Sequence, residues 1–296
     1  MKALASFVMR GPSQSAMATT ALTMLSLIFP FVGMLGSACV GLVFLRQGGK
    51  DGSKTLLLST MAAALLMGVI FNNPLPALGL LLVLWTPVGL LSIVLRNTRS
   101  LSLTTQVGIG FGLLAVVVQY ISLGEPAEFW QGYLQPVGQR FVDAGLFNQA
   151  QSLQVIEQLS TVMCGAVAVV FLLQLVCSLY LARWWQATLY NPGGFAIEYH
   201  QLRVHWVVGL IGASAMLIPD EMAPAALNCL GATFLGVLFL QGLAVAHGVF
   251  KGMKSAQLWL VLTYLLLIVF MPQMVMLLTS IGLMDVWIDF RARFKK

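Results

Sequence analysis

Charge is what this sequence has least of: Asp, Glu, Lys and Arg make up 9% of its 296 residues, against about 25% in soluble domains. So few charges cannot keep a globular surface wet, which excludes an ordinary soluble fold. Cysteine is scarce as well. Cys39, Cys164, Cys177 and Cys229 each lie inside an apolar run without metal-ligand spacing. Neither a disulfide framework nor a metal site is expected, and the four read as small buried hydrophobes. His-Glu-x-x-His, Gly-x-Ser-x-Gly and a membrane-embedded aspartate pair are missing, and His200, His205 and His247 do not share a face. With no catalytic set, the chain is read as a non-enzyme without cofactor or metal.

What is present is apolar: 59% of residues are hydrophobic and the mean hydropathy is +0.89. A helix needs about 20 apolar residues to cross hydrocarbon. By that ruler the runs are 16–45 with Pro30 in its middle, 55–71, 77–95, 101–122, 161–182, 205–218, 223–246, and 257–284 with Pro272 in its middle. Residues 123–160 are different. They hold Glu125, Glu128, Arg140, Asp143 and Glu157, and Phe129, Trp130, Tyr133, Leu134 and Val137 recur at helical spacing. The expected fold is all-α, a polytopic transmembrane helix bundle of about eight to ten spans. Its expected parts are an N-terminal half (1–122), an external amphipathic helical insert (123–160) and a C-terminal half (161–296) with a cytoplasmic aromatic segment (183–204).

Lys2 and Arg10 precede an apolar run that continues too far for a signal peptide. Gly36-Ser37-Ala38-Cys39 lacks the leucine of a lipoprotein box, so the N-terminus is expected to remain as a membrane anchor.

The net charge of +6 is not spread as a basic face that could track phosphates, so nucleic acid is excluded as a partner. The basic residues instead fall in clusters between apolar runs: Lys2/Arg10, Arg46/Lys50/Lys54, Arg96/Arg99, Arg183/Arg203, Lys251/Lys254 and Arg291/Arg293/Lys295/Lys296. Only Arg140, in the insert, stands apart, while the insert and the Pro219-Asp220-Glu221 turn hold six of the ten acids. The positive-inside rule then puts every basic cluster and both termini in the cytoplasm of a bacterial inner membrane, with the insert outside. Each terminal run should begin and end inside, so each is expected to be a hairpin split at its proline, its short arms tilted half-helices or re-entrant segments, with a single long helix as the alternative.

No Lys, Arg, Asp or Glu is expected mid-span. The softer polar residues are Gln106, Gln119, Gln174, Asn228, Gln241 and Gln273. They read first as helix–helix hydrogen bonds and second as the lining of a cavity for an uncharged or amphipathic ligand. Gly33-x-x-x-Ser37-x-x-x-Gly41 reads as a small-residue packing seam. Gly108-x-Gly110-x-Gly112 has the letters of a dinucleotide fingerprint but no preceding strand.

The segment from Arg183 to Arg203 concentrates chemistry. Trp184, Trp185 and Tyr190 are interface aromatics, Asn191-Pro192-Gly193-Gly194 is a strong turn signal, and Arg183 and Arg203 suit lipid phosphate. It is expected to lie along the cytoplasmic interface with its break at 191–194. The candidate ligand- or partner-contacting residues are Arg183, Trp184, Trp185, Gln186, Asn191, Gly193, Gly194, Arg203, Asn228 and Gln241.

Arg183-Trp184-Trp185-Gln186 with Asn191-Pro192-Gly193-Gly194-Phe195, the stretch Leu240-Gln241-Gly242-Leu243-Ala244-Val245-Ala246-His247, and the ending Asp285-x-x-x-Asp289-Phe290-Arg291 resemble the gammaproteobacterial branch of the YybS-like membrane proteins, a domain-of-unknown-function family. That family is grouped distantly with the S-components of energy-coupling-factor vitamin transporters. The resemblance implies a helical bundle that binds a small molecule. The expected function is therefore small-molecule or lipid binding related to transport, with membrane lipids as partners. The alternative is a membrane scaffold or assembly factor that recruits a protein partner.

Overall fold

Proline and glycine set most of the element boundaries. The computed structural model describes residues 1–218 and 222–293, and every regular element among them is helical. The Pro219-Asp220-Glu221 turn, Lys295 and Lys296 lie outside the described residues.

In chain order the helices are α1 (Lys2–Val8), α2 (Pro12–Leu25), α3 (Gly33–Arg46), α4 (Gly49–Phe71), α5 (Pro76–Gly79), α6 (Thr86–Thr98), α7 (Leu101–Leu123), α8 (Pro126–Asp143), α9 (Gln149–Tyr190), α10 (Gly194–His200), α11 (Trp206–Leu217), α12 (Ala225–Phe250), α13 (Ala256–Val269), α14 (Met271–Ile288) and α15 (Phe290–Arg293). Pro12, Pro76 and Pro126 open their helices, where a missing N–H costs nothing. A π-helical segment, Leu80–Trp85, joins α5 to α6 just before Pro87, so 76–98 is one continuous rod. The wider turn absorbs the carbonyl that Pro87 cannot serve.

Among the described residues six helices are long and apolar enough to cross a membrane: Gly49–Phe71, Pro76–Thr98, Leu101–Leu123, Gln149–Tyr190, Ala225–Phe250 and Met271–Ile288. Shorter apolar helices cover Pro30–Arg46, Trp206–Leu217 and Ala256–Val269. Their outer faces are oily. On α4, Leu57, Met61, Leu65 and Val69 form an i, i+4 stripe that is 63–85% exposed. On α13 no residue is buried at all. Water tolerates no apolar stripes of this length, whereas lipid does. The chain is a multi-pass membrane protein built as an all-α bundle.

Both proline-centred runs are divided as expected. Residues 26–29 and a 3-10 turn, Pro30–Val32, separate α2 from α3, and the two helices pack against each other. In the last run the helix breaks at Phe270, and Pro272 sits in the first turn of α14.

The insert is two helices. α8 ends at a turn with Gly145 at φ +71°, and Asn148 caps α9. Asn148 Oδ1 accepts from Gln151 N at 2.8 Å while Gln151 Oε1 accepts from Asn148 N at 3.0 Å, a reciprocal capping box. From there α9 runs unbroken for 42 residues, about 63 Å, or twice the hydrocarbon thickness.

The chain forms two compact units. One holds residues 1–108 and 173–202, the other 109–172 and 203–296. In the first, α2, α3 and α4 pack through small polar residues. Ser15, Thr19 and Thr23 on α2, Ser37 on α3, and Thr55 and Ser59 on α4 are all buried, and none of their hydroxyls has a hydrogen-bond partner among the described residues. Gly36 permits the approach: a Cβ there would lie 2.6 Å from Thr23 Oγ1. Gly41 faces away from this seam, towards Val88, Ser92 and Ala182. The Gly33/Ser37/Gly41 row therefore serves more than one neighbour. In the second unit, Gly112 of α7 packs against Thr233 of α12 and Leu172 of α9, whereas Gly110 has open space beside it, so the glycine-rich stretch is part of a helix.

Candidate functional site

The first site grows from the ends of α3, α6 and α9. α9 carries Arg183 within its last two turns and then stops at Asn191. The turn is made by Gly193, at φ +86°, a left-handed conformation that glycine adopts without strain. The Asn191 side chain packs so closely on Gly194 that a Cβ there would overlap its amide. The break thus falls where the turn signal predicts it. Residues 183–190, however, are the continuation of α9 and not a separate interfacial helix, because nothing before Pro192 interrupts the i→i−4 ladder.

After the turn α10 folds back on α9. Arg183 donates from Nε to Glu198 Oε2 at 2.8 Å, and its Nη2 pairs with Glu198 Oε1. Its Nη1 donates to Gln186 Oε1 at 2.7 Å. Phe195 and Tyr199 stack at 5.7 Å, and Tyr180 meets Tyr199 edge-on at 5.6 Å. Tyr180 in turn shares a 2.7 Å hydrogen bond with Thr105. A bidentate ion pair and an aromatic cluster together fix α10, a helix too short to hold itself.

Beside this hairpin lies an open pocket of about 250 Å3 lined by Leu45, Leu95, Arg96, Arg99, Arg183, Gln186 and Glu198. Arg96 donates from Nη1 to the carbonyls of Phe44 and Leu45, at 3.3 and 3.4 Å, where α3 ends. A cation suits the negative end of a helix dipole. Gly48 keeps room for it: a Cβ there would lie 3.0 Å from Arg96 Nη1. Arg99 closes α6 at φ +54°, and its side chain has no hydrogen bond or ion pair among the described residues. The lining therefore carries three guanidinium groups and one carboxylate. Nearby, the Arg46 guanidinium stands 4.2 Å over the Tyr190 ring.

A second charged cluster belongs to the other unit. Asp285, fully buried near the end of α14, accepts from Gln241 Nε2 at 2.9 Å and Phe290 N at 3.0 Å, and it pairs with Arg291. Gln241 Oε1 accepts from Val204 N at 2.8 Å. Arg203 donates to Val286 O at 2.9 Å and pairs with Asp289 at 3.1 Å. This network ties the segment before α11 to α12, α14 and α15. Its carboxylate is neutralised and hydrogen-bonded, as a buried charge must be.

The ten sequence candidates thus part company. Arg183 and Gln186 line the pocket. Asn191, Gly193 and Gly194 build its turn. Trp184 is 39% exposed, but Trp185 is buried within its unit and is no interface anchor. Arg203 and Gln241 belong to the second cluster. Asn228 sits in the first turn of α12, 13 residues from Gln241, about 20 Å along the helix, so these two do not share a site. Of the other soft polar residues, Gln119 donates to Cys164 O at 3.1 Å, a helix–helix bond of the kind expected.

Arg96, Arg99 and Glu198 were absent from the sequence candidates. The signal for them existed: the threading that put every basic cluster on one side already brought Arg96 and Arg99 to the face of Arg183. Asp285, the first residue past the 257–284 run, stood out in the sequence only as part of the motif Asp285-x-x-x-Asp289-Phe290-Arg291. No protein family model, curated protein or solved structure matches this chain.

Proposed function

We propose that this protein is a bacterial inner-membrane protein, with both termini in the cytoplasm, that binds an anionic small molecule or lipid in connection with transport. The carrying observation is Arg99, a guanidinium without a partner among the described residues, in a pocket whose lining is net positive. Guanidinium groups are the preferred donors for carboxylate and phosphate. The positive-inside rule places this pocket at the cytoplasmic face, where Leu45 and Leu95 offer apolar walls beside the charges. The resemblance to the YybS-like proteins, and through them to S-components, supports a binding role. Guanidinium groups beside apolar walls support binding as the role.

The test is a thermal-stability screen of the purified protein against anionic vitamins, their precursors and anionic lipids, in wild type and Arg99→Asn. A ligand that stabilises the wild type and not the variant is the expected result. Equal stabilisation of both, or no stabilisation by any compound, would count against the pocket.

A scaffold role is the second reading, and α8 favours it. Phe129, Tyr133, Val137 and Phe141 follow each other at i+4 and are 43–65% exposed. Crosslinking in membranes separates the two readings. A stoichiometric protein partner captured through α8, with an empty pocket, would favour the scaffold.

A further inference from the structure

We infer that the pocket between Leu45, Arg96, Arg99 and Glu198 takes a doubly charged phosphate monoester, with Arg96 and Arg99 as its ligands and Glu198 as a built-in brake on its affinity. The inference rests on the binding role proposed above and names the chemistry of the ligand.

The charge balance comes first. Arg183 spends three of its five N–H groups on Glu198 and Gln186, and its charge is balanced by Glu198. Two positive charges remain in the lining, Arg96 and Arg99. Arg96 donates through Nη1 alone, to two carbonyls at long range. A guanidinium has five N–H groups, so Arg96 keeps donors for a ligand, and Arg99 keeps all of its own. A phosphate monoester carries about −1.5 to −2 at pH 7 with three acceptor oxygens. It matches two guanidinium forks in charge and in hydrogen-bond number. A carboxylate or a phosphodiester, each with one charge, would leave one guanidinium uncompensated.

The surroundings then set the brake. Both Glu198 oxygens are engaged by Arg183, yet the carboxylate also lines the pocket and faces any incoming anion. It lowers affinity without taking donors from Arg96 or Arg99. A site meant to hold its ligand permanently would gain from a neutral residue at 198. Leu45 and Leu95 complete the lining with apolar surface suited to the ester's carbon portion.

A phosphate monoester reaches such a site either as a soluble molecule or on a lipid. The experiment uses the full-length protein in phosphatidylcholine nanodiscs. One arm titrates inorganic phosphate. The other measures lipid retention by native mass spectrometry with phosphatidic acid, a monoester, against phosphatidylglycerol, a diester. Wild type, Arg99→Asn, Arg96→Gln and Glu198→Gln are compared. Asn tolerates the left-handed backbone at 99, and Gln at 198 still accepts from Arg183, so the fold is kept.

Binding of phosphate, of phosphatidic acid or of both by the wild type is expected. The first alone marks a soluble ligand, the second alone a lipid-borne one. Arg99→Asn and Arg96→Gln should each weaken binding at least about tenfold. Glu198→Gln should tighten it about threefold to tenfold, a gain that loss of structure cannot produce. Absence of binding by the wild type in both arms, binding indifferent to Arg99→Asn, or no tightening in a folded Glu198→Gln would overturn the inference. Preference for phosphatidylglycerol, lost in Arg99→Asn, would overturn the monoester while leaving the binding pocket standing.

Discussion

Gly282 of α14 approaches Gly242 of α12 so closely that a methyl group on Gly282 would sit 2.8 Å from the Gly242 backbone nitrogen. The same methyl would overlap the Leu238 carbonyl, and one on Gly242 would overlap that of Leu278. Lipid offers no hydrophobic drive to hold two helices together, so contact this close is what holds them.

Gly242→Ala and Gly282→Ala are therefore expected to destabilise the second unit. Overpacking costs about 1–3 kcal/mol where side chains can move; here backbone must move, so the upper end is expected. Unfolding in mixed micelles measures it. A stability equal to wild type for both variants would show that the close crossing is not required.

Asp285 and Arg291 give a coupled prediction. Removing one partner of a buried pair costs about 3–5 kcal/mol, because the other charge is stranded. Arg291→Met and Asp285→Asn should each destabilise, and the double variant by clearly less than their sum. Strict additivity in that cycle would mean the pair is not coupled.

At the start of α9, Asn148→Ala should cost about 1 kcal/mol by removing the cap. The loss is local. Faster hydrogen exchange is expected at the amides of residues 149–152, with exchange at 170–180 unchanged. Uniform acceleration along the whole helix would contradict a capping role.

Topology is tested by reporter fusions. Fusions after residue 140 should report the external side, and fusions after 52, 98, 190 and 252 the cytoplasm. An external signal at 52 would remove the N-terminal hairpin from the proposed orientation.

Much of the architecture was legible in the residues because lipid imposes few rules. Pro30 and Pro272 marked the divisions of the terminal runs, since neither can continue a helix without a lost bond. Asn191-Pro192-Gly193-Gly194 marked the end of α9 for the same reason. The site was harder to read. Trp185 looked like an interface anchor by type, but which side of α9 is buried depends on packing that a single helix does not record. Arg96 and Arg99 stood about 85 residues from Arg183 in sequence, and only the ends of α3, α6 and α9 brought them together. Asp285 needed Gln241 and Arg291 in place before its burial made sense.

The hydroxyl seam of α2, α3 and α4 has a consequence for how these helices come apart. Thr60 and Ser92 turn their hydroxyls back onto carbonyls one turn earlier in their own helices, at 2.8 and 2.7 Å. Any helical serine or threonine has that option. Ser15, Thr19, Thr23, Ser37, Thr55 and Ser59 leave it unused while the seam is shut. If the seam parts, each can rotate and satisfy itself, so lipid meets no stranded donor. The closed seam forgoes six hydrogen bonds that the open one would make. For these six hydroxyls polar satisfaction favours the parted form, and close packing, through Gly36 against Thr23, together with the buried bond from Thr20 Oγ1 to Ser59 O at 3.3 Å, opposes it.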